Sequence, residues 1–285
     1  MGTPKEVAIV TGCTFGGIGH AIACQLSERG CTVYATARRV DAIGEVPSCI
    51  KVLPLEVTDA ESISSAVKTV IDSEGRLDIL VNNAGIGCVG PAAEISLERA
   101  RQTFEVNVLG IIAMVQAVAP HMTAQGSGKI INVGSIVGLL PTPWAGVYSS
   151  SKAAVHSLTD VLRLELAPFG VQVMLVAPGA IRSNMGKNNL DHMDLNSLKI
   201  FKPFAENIQQ RAVTSQTSSS TPTDHFATKV VDEITRSTLR RQFIYGHRTT
   251  LVLFVLMFPY WIQDWLVARS FGLLKSFRRD TTKKD

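Results

Sequence analysis

The 285-residue sequence has few of the features that define several classes of protein. It contains only five cysteines, all within the first third, and neither their odd number nor their spacing fits a disulfide framework. Its 28 basic residues exceed its 24 acidic residues by only four, which does not indicate a nucleic-acid-binding protein. Hydrophobic residues make up 46%, which excludes a disordered or collagen-like chain. We therefore expect free thiols, a reducing compartment and no nucleic-acid partner.

We expect no targeting signal at the amino end. The chain runs from Met1 directly into an apolar segment, which does not fit a secretory signal, and Glu6 stands where N-myristoylation requires Ser or Thr. We expect no metal site. The one long apolar run, residues 251–262, lies near the carboxyl end.

Short β-rich runs alternate with helix-period runs over the first 180 residues. Several of the β-rich runs are nearly continuous in Val, Ile and Leu, as expected for strands covered on both faces. The predicted strands are Val7–Thr11, Thr32–Ala37, Lys51–Leu55, Ile79–Asn82, Lys129–Val133 and Val171–Ala177, with a last one at Phe243–Tyr245. This alternation predicts a doubly wound, Rossmann-type α/β fold with a parallel sheet of about seven strands.

The amino-acid composition changes after Pro178 and Gly179. Residues 184–224 are polar, and we interpret them as a lid over a cleft, with a mobile loop at 214–223. A helix is predicted over about residues 224–239. We predict one catalytic domain, residues 1–248, followed by an apolar segment with a basic tail, residues 249–285.

The motif Thr11-Gly12-Cys13-Thr14-Phe15-Gly16-Gly17-Ile18-Gly19 follows one strand and begins a helix. Glycines permit a tight turn and let the backbone approach a phosphate closely. The helix N-terminus then offers free N–H groups and the positive end of a dipole to a pyrophosphate. A glycine-rich turn in this context predicts a dinucleotide site.

Tyr148 and Lys152 stand four residues apart, so they share one face of a helix. A phenol with a pKa near 10 is a poor proton donor at neutral pH, and a nearby ammonium lowers that pKa. The pair alone is also typical of a solvated helix face. A catalytic interpretation of the pair is favoured because other polar motifs lie near it in the predicted fold. Ser135, the segment 82–85 and the Pro178-Gly179 pair follow strands, and Asn107 lies on an adjacent helix. Ligands of open parallel sheets bind at those carboxyl ends.

As a set, these motifs resemble the short-chain dehydrogenase/reductase family over about residues 5–250. The resemblance rests on TGCTFGGIG, NNAG, NVLG, Ser135, YSSSK and Pro-Gly. It implies a nicotinamide cofactor and a catalytic tetrad of Asn107, Ser135, Tyr148 and Lys152. Tyr148 would protonate the substrate carbonyl oxygen, Ser135 would hydrogen-bond that oxygen, and Lys152 would lower the Tyr148 pKa and hold the nicotinamide ribose. Asn107 would hold a water molecule for proton relay.

The same resemblance implies a set of cofactor-binding residues besides Tyr148 and Lys152. They are Gly12, Thr14, Gly16, Gly17, Ile18, Gly19, Arg38, Arg39, Glu56, Val57, Asn83, Ala84, Gly85, Pro178, Gly179, Ile181 and Ser183. The chain departs from the family pattern in three places. The glycine turn carries one extra residue, Glu56 replaces the usual Asp near the adenine, and Ser183 replaces a Thr that meets the carboxamide.

The second predicted strand ends in Thr36-Ala37-Arg38-Arg39, with no acid until Asp41. An NAD enzyme places Asp or Glu there to bind the ribose 2′-hydroxyl, whereas a guanidinium matches a phosphate. We therefore predict NADPH/NADP+ as the cofactor; the alternative is a pair of ordinary surface arginines.

The turn with the extra residue, YATARR and PWAGVYSSSKAAVHSLTD are most similar to the 1-acyldihydroxyacetone-phosphate reductases. That similarity implies NADPH-dependent reduction of a lipid ketone in glycerolipid synthesis. The alternatives are a hydroxysteroid or retinoid substrate, or a cofactor-binding lipid-surface protein without turnover. Lys187, Lys202 and Arg211 lie in the predicted lid, where solvated charges are the default interpretation and contact with a substrate phosphate is the alternative.

The apolar run 251–262 is too short for an ordinary spanning helix, since twelve helical residues reach about 18 Å of a roughly 30 Å core. Pro259 interrupts it, and any extension takes in Asp264 and Arg269. We interpret the segment as a contact with the cytosolic face of a membrane, either the endoplasmic reticulum or a lipid droplet. Without such a contact we expect a cytoplasmic protein. The alternative is a helix that walls the substrate pocket or contacts another subunit. The family resemblance also implies a homodimer or homotetramer.

Overall fold

A computed structural model describes residues 5–274 of the protein. It contains one sheet of seven strands, each paired in parallel with its neighbours. The strands are β1 (Val7–Val10), β2 (Thr32–Ala37), β3 (Ile50–Pro54), β4 (Ile79–Asn82), β5 (Gly128–Val133), β6 (Val171–Pro178) and β7 (Gln242–Tyr245). Their order is β3-β2-β1-β4-β5-β6-β7. The predicted doubly wound, Rossmann-type fold is confirmed, and the strand limits differ from prediction by one residue or none.

Ten α-helices connect the strands and complete the described chain. They are α1 (Ile18–Glu28), α2 (Ala60–Glu74), α3 (Leu97–Phe104), α4 (Gly110–Gln125), α5 (Gly146–Leu166), α6 (Met185–Asp191), α7 (Ala205–Ala212), α8 (Thr223–Ile234), α9 (Thr249–Val255) and α10 (Tyr260–Ser270). A π-helical turn, Glu105–Leu109, joins α3 to α4. The α2 helix begins because the Asp59 side chain accepts a hydrogen bond from the Glu61 N–H, and it ends at Gly75 in the left-handed conformation.

The two faces of the sheet carry separate hydrophobic cores. Side chains alternate along β1: Ala8 and Val10 pack with α1 and α8 on one face, whereas Val7 and Ile9 pack with α2, α4 and α5 on the other. Phe226 on α8 is completely buried in the first core. Helices on both faces leave the carboxyl edge of the sheet open for a site.

Within residues 5–274, only the helix over Leu97–Gln125 is long and apolar enough to cross a membrane by length and composition. Its Ile111, Met114, Val118 and Met122 side chains pack in the second core. The apolar run near the carboxyl end instead folds into two short helices, α9 and α10, separated at Pro259. The sequence-based argument against a single spanning helix in this run therefore agrees with the fold.

The carboxyl-terminal third differs most from the sequence-based expectations. The predicted lid, residues 184–224, contains α6 and α7, which its polar composition did not indicate. The helix predicted to reach residue 239 ends at Ile234, because hydroxyl side chains follow and the Leu239 N–H donates to Gln172 on β6. The division at residue 248 stays a prediction, and the basic residues Lys275, Arg278, Arg279, Lys283 and Lys284 lie outside the described residues.

All five cysteines are free, as predicted. Burial raises the pKa of the Cys13 thiol to about 12, so this side chain behaves as an apolar part of the core beneath the glycine turn. No group of three or more His, Cys, Asp or Glu residues in the described chain has the geometry to hold a metal ion.

Candidate active site

The glycine turn after β1 is shaped by close backbone contacts. Gly12 and Gly16 have φ angles of +71° and +73°, which disfavour other residues. A Cβ atom on Gly12 would lie 2.7 Å from the Ala84 Cα, and one on Gly19 would lie 2.3 Å from the Asn83 Nδ2. Gly17 precedes α1, and no side chain caps the N–H groups of that helix. The bare helix N-terminus and the tight turn fit the pyrophosphate of a dinucleotide.

Hydrogen bonds join this turn to the segment after β4. The Asn83 side-chain amide donates to the carbonyls of Thr11 and Gly12, at 2.9 and 3.0 Å. The Thr11 hydroxyl oxygen accepts from the backbone N–H groups of Asn83 and Ala84, both at 3.0 Å. Two of the motifs that the sequence singled out are therefore one structural unit at the carboxyl edge of the sheet.

The predicted tyrosine–lysine pair lies on the first turns of α5. Lys152 is buried, and its Nζ donates to the Val133 carbonyl at 2.8 Å and lies 5.8 Å from the centre of the Tyr148 ring. Ser135 follows β5 and precedes a short 3-10 turn whose Val137 N–H donates to the serine hydroxyl. Tyr148, Ser135 and Lys152 all line one cavity.

Burial alters the proton affinities of this group. It raises the pKa of the Tyr148 phenol, while a hydrogen bond with Ser135 and the positive charge of Arg211 act to lower it. Burial lowers the pKa of Lys152 to about 8. The sequence argument expected Lys152 to be the cation acting on Tyr148, and it did not anticipate that Arg211 would act on the phenol.

Asn107 lies in the π-helical turn between α3 and α4 and is completely buried. Its Oδ1 accepts from the Ile86 N–H at 2.8 Å, and its Nδ2 donates to the Ile86 carbonyl and to the Ser151 hydroxyl, both at 3.0 Å. That hydroxyl donates to the Tyr148 carbonyl at 2.7 Å. The amide thus ties the segment after β4 to the turn of α5 that carries Tyr148. The water-holding role that the family resemblance implies stays a prediction.

His156 lies one turn beyond Lys152 and contacts the backbone around Ser135. Its Nε2 accepts from the Ser135 N–H at 3.4 Å, and a Cβ on Gly134 would lie 2.5 Å from that nitrogen. Burial, together with the positive charge of Lys152, lowers the pKa of His156 to about 4. The ring is therefore neutral at physiological pH and helps to position Ser135.

The residues predicted to hold the rest of the cofactor lie around the same edge. Arg38 and Arg39 follow β2 and are exposed, with the Arg38 Nε 3.7 Å from a Glu56 carboxylate oxygen. Glu56 also accepts from the Thr58 N–H and hydroxyl. Ile18, Asn83, Gly85, Pro178, Gly179, Ile181 and Ser183 line the cavity; Thr14 is exposed on the glycine turn, and Val57 is buried in the second core.

The cavity above Tyr148 has a volume of about 560 Å³, and more of its lining is apolar than polar. Its far wall comes from α9 and α10, through Leu251, Val252, Val255, Leu266 and Val267. The α10 helix is attached to the domain because the Trp144 indole N–H donates to the Phe271 carbonyl, and Phe271 packs near Trp144. The apolar run near the carboxyl end therefore walls the cavity with its inner face, which is the alternative that the sequence analysis offered to a membrane contact.

The three lid cations lie in different environments. Lys187 and Lys202 are exposed, as expected for solvated charges. Arg211 lines the cavity, and its Nε donates to the Thr142 hydroxyl at 3.2 Å. The default interpretation as a solvated charge is therefore wrong for Arg211, because α7, which the sequence did not predict, turns that side chain inward.

Comparison with known proteins agrees with this geometry. A family model described as short chain dehydrogenase matches residues 6–194. The short-chain dehydrogenase cctT of Talaromyces islandicus is 35% identical over 97% of this chain and 99% of its own length. The 3-ketodihydrosphingosine reductase of Bacteroides thetaiotaomicron is 37% identical over 71% of this chain and 78% of its own. The NADPH-dependent 1-acyldihydroxyacetone phosphate reductase of Schizosaccharomyces pombe is 35% identical over 66% of this chain and 64% of its own.

Solved structures share the fold. A short-chain dehydrogenase from Streptomyces avermitilis superimposes with a TM-score of 0.77 at 28% identity, covering 94% of this chain and 97% of that one. A short chain dehydrogenase from Burkholderia cenocepacia J2315, solved in complex with NADP, superimposes with a TM-score of 0.73 at 27% identity, covering 97% of this chain and 100% of that one.

Proposed function

This chain belongs to the short-chain dehydrogenase family, and from that premise we propose that it is an NADP(H)-dependent reductase of a lipid ketone. The proposed substrate is 1-acyl-dihydroxyacetone phosphate and the product is 1-acyl-glycerol 3-phosphate. The observation that carries the proposal is the single cavity in which Tyr148, Ser135 and Lys152 face the apolar wall formed by α9 and α10. A carbonyl placed at the polar end leaves an acyl chain against the apolar end.

In this proposal the cofactor lies along the carboxyl edge of the sheet. The glycine turn and the uncapped N-terminus of α1 would hold the pyrophosphate, and Gly85, Lys152, Pro178 and Gly179, which line the cavity, would hold the nicotinamide end. When bound, NADPH supplies the hydride. Arg38 and Arg39 meet the 2′-phosphate, since no acid follows β2 before Asp41. The bound NADP of the Burkholderia relative and the name of the Schizosaccharomyces reductase support this choice.

The protein's own residues supply the proton and the geometry. Tyr148 gives its phenolic proton to the carbonyl oxygen as the carbonyl carbon is reduced, so that C=O becomes CH–OH. Ser135 hydrogen-bonds the same oxygen and holds it near the phenol. Lys152 stabilises the resulting phenolate, because a positive charge favours the ionised form of a neighbouring acid. Asn107 keeps the segment after β4 and the start of α5 in register.

A second candidate substrate is a hydroxysteroid or a retinoid. The apolar lining of the cavity is the observation that favours it, because Leu140, Val252 and Leu266 would accept a rigid ring system or a polyene as well as an acyl chain. The two candidates differ in charge, since the proposed substrate carries a phosphate and a steroid ketone or retinal carries none.

We also propose that the outer face of α9 and α10 contacts a membrane or lipid-droplet surface. Met257, in the turn between the two helices, and Tyr260 and Trp261 on α10 are 81%, 83% and 72% exposed, and Phe254 and Trp265 are also exposed. Large aromatic rings suit an interface that is half apolar and half wet. Because the inner face of the same helices lines the cavity, a lipid substrate would reach the site from that surface.

The membrane contact is tested by vesicle flotation of the full chain. Replacing Met257 and Trp261 together with Ser should release the protein from vesicles that contain anionic lipid. The control is Ile200→Ser, an exposed apolar residue of the lid that lies outside the cavity lining. Equal flotation of the double variant and the control would contradict the contact. Deletion of residues 249–285 is a poorer test, since it would also remove the cavity wall.

The predicted homodimer or homotetramer is a further proposal. Leu97, Phe104, Leu109, Val161 and Leu164 are exposed apolar residues on α3, α5 and the π-helical turn between α3 and α4. An apolar surface of this kind often marks a subunit contact. Light scattering of the full chain in solution tests it: a dimeric or tetrameric mass is expected, and a monomeric mass would contradict it.

The catalytic proposal is tested by following NADPH oxidation by the purified full chain in detergent micelles. Hexadecanoyl-dihydroxyacetone phosphate, estrone and retinal are presented separately at equal concentration. Selective turnover of the phosphate ester is expected. Selective turnover of estrone or retinal would overturn the substrate assignment while leaving the reductase chemistry intact.

A further inference from the structure

Arg211 is the one lid cation that the fold turns into the cavity. Its Nε is held by the Thr142 hydroxyl at 3.2 Å, and it lines the same space as Tyr148 and Ser135. Because its Nε is engaged by Thr142, the two terminal nitrogens of the planar guanidinium are left for another partner.

No acid balances this charge within residues 5–274. No carboxylate of that part of the chain lies within 4.0 Å of the Arg211 guanidinium. The described lining of the cavity contains no Asp or Glu, yet it contains Lys152, Arg211 and Arg248. Arg248 is exposed, whereas Arg211 is partly buried. A positive charge that is partly withdrawn from water without a counterion is costly, so the cavity favours an anion near Arg211.

Burial also lowers the pKa of Arg211, and the Tyr148 phenol is the one ionisable group in the described chain that acts to raise it. The guanidinium still stays protonated in the working pH range. The phenol is neutral at that pH, so it does not supply the missing negative charge. The uncompensated cation therefore shares the cavity with the proton donor, Tyr148.

We propose that Arg211, held by Thr142, binds an anionic group of the ketone substrate. The phosphate of an acyl-dihydroxyacetone phosphate is the group that fits, because a guanidinium pairs with phosphate oxygens through parallel N–H bonds. The inference rests on the proposed function and names the residue that selects its substrate. A neutral steroid or retinal would leave the guanidinium unpaired, and a cationic amino-ketone would be repelled by it.

The test compares two ketones that differ only in charge: hexadecanoyl-dihydroxyacetone phosphate and its dephosphorylated counterpart, hexadecanoyl-dihydroxyacetone. Arg211→Gln should lower kcat/KM for the phosphate ester about tenfold to a hundredfold, mainly through KM, since a charge-assisted hydrogen bond contributes about 1.5–3 kcal/mol. The neutral ketone should change by less than about twofold. Arg211→Lys should restore part of the loss. Lys187→Gln, an exposed lid cation outside the cavity lining, is the matched control and should leave both substrates unchanged.

Equal losses on the two ketones would overturn the proposal, since Arg211 would then act on folding or on Tyr148 rather than on the phosphate. If Arg211→Gln does not fold, Thr142→Val, which removes the acceptor that orients the guanidinium, should show the same charge-selective loss at smaller size. An unselective effect or no effect of Thr142→Val would contradict it.

A second measurement separates this proposal from the proposed function. Whichever ketone the wild-type protein reduces, decyl phosphate should inhibit it more strongly than decanol, and Arg211→Gln should abolish that difference. Inorganic phosphate, which has no chain to bury, should inhibit weakly. If neither dihydroxyacetone ester is reduced but the decyl phosphate preference depends on Arg211, the substrate assignment fails and the anion site stands. A preference that survives Arg211→Gln would overturn the anion site itself.

Discussion

The two sides of the cavity are built by different means. The side formed by β1, β4, β5 and α5 is a network of hydrogen bonds, in which Thr11, Asn83 and Asn107 fix backbone segments to one another. The opposite side is apolar where α9 and α10 form it, whereas α7 contributes the polar side chains of Asn207, Gln210 and Arg211. A reaction common to many substrates needs fixed geometry, whereas choice among substrates needs only shape and a few charges. We therefore assign chemistry to the first side and substrate selection to the second.

The largest expected effect is on the chemical side. Tyr148→Phe removes the proposed proton donor, and turnover should fall about 10²-fold to 10⁴-fold for every ketone tested. NADPH binding, followed by fluorescence titration, should be retained, since Tyr148 is only one of many predicted cofactor contacts. This result also separates a reductase from a cofactor-binding protein without turnover.

The matched control is Tyr260→Phe on α10, where the ring is exposed. It should leave kcat within about twofold of the wild type. Retention of turnover by Tyr148→Phe would refute the assignment of proton transfer to this residue.

The next contrast concerns stability. Phe226 is completely buried between α8 and the sheet, so Phe226→Ala should lower the free energy of unfolding by about 3–5 kcal/mol. Trp261→Ala, on the exposed face of α10, should change it by no more than about 0.5 kcal/mol. Urea unfolding of both variants measures the difference. A large loss for Trp261→Ala would mean that this face is covered by something other than solvent.

The pH dependence of the free energy of unfolding tests the hydrogen-bonded side of the cavity, where His156 contacts Ser135. Because the pKa of His156 is about 4 in the folded protein and near 6.5 when unfolded, the unfolded chain binds the extra proton between these values. Stability should therefore be retained above pH 6.5 and fall by about 3 kcal/mol as the pH drops to 4. His156→Gln should remove this part of the pH dependence. An unchanged difference between pH 6.5 and pH 4 in the variant would show that other groups cause it.

The smallest effect is expected at the exposed end of β2. Arg38→Asp should reduce the preference for NADPH over NADH about tenfold, because the new carboxylate repels the 2′-phosphate and accepts from a 2′-hydroxyl. The effect is moderate because Arg38 is exposed and already lies near Glu56. Lys68→Asp on α2 is the control for the change of net charge. An unchanged ratio of kcat/KM for the two cofactors would reject the role of Arg38.

The same two regions differ in how well the sequence predicts them. The strands, the glycine turn and the cluster of Tyr148, Ser135 and Lys152 were predictable, because buried parallel strands leave continuous apolar runs and their carboxyl ends meet at one edge. The helices of the lid were not, since their residues are mostly polar and their packing depends on a few side chains such as Phe204 and Ile208. The inward position of Arg211 follows from that packing and left no signal in the sequence.

The assignment of chemistry to one side of the cavity and substrate selection to the other is tested most directly by the dependence of kcat/KM on the length of the acyl chain. We would measure kcat/KM for dihydroxyacetone phosphate esters from acetyl to hexadecanoyl, in the wild type and in Val252→Ser. Val252 lines the cavity, whereas its neighbour Leu253, the matched control as Leu253→Ser, is partly exposed and lies outside the lining. In the wild type, kcat/KM should rise by at most about fourfold for each methylene buried, which corresponds to ~0.8 kcal/mol, until the acyl chain extends out of the cavity.

We expect Val252→Ser to flatten this rise without changing kcat/KM for the acetyl ester, and Leu253→Ser to keep the wild-type slope. Equal loss for every ester in Val252→Ser, or a wild-type profile that does not depend on chain length, would contradict the assignment of substrate selection to the apolar side.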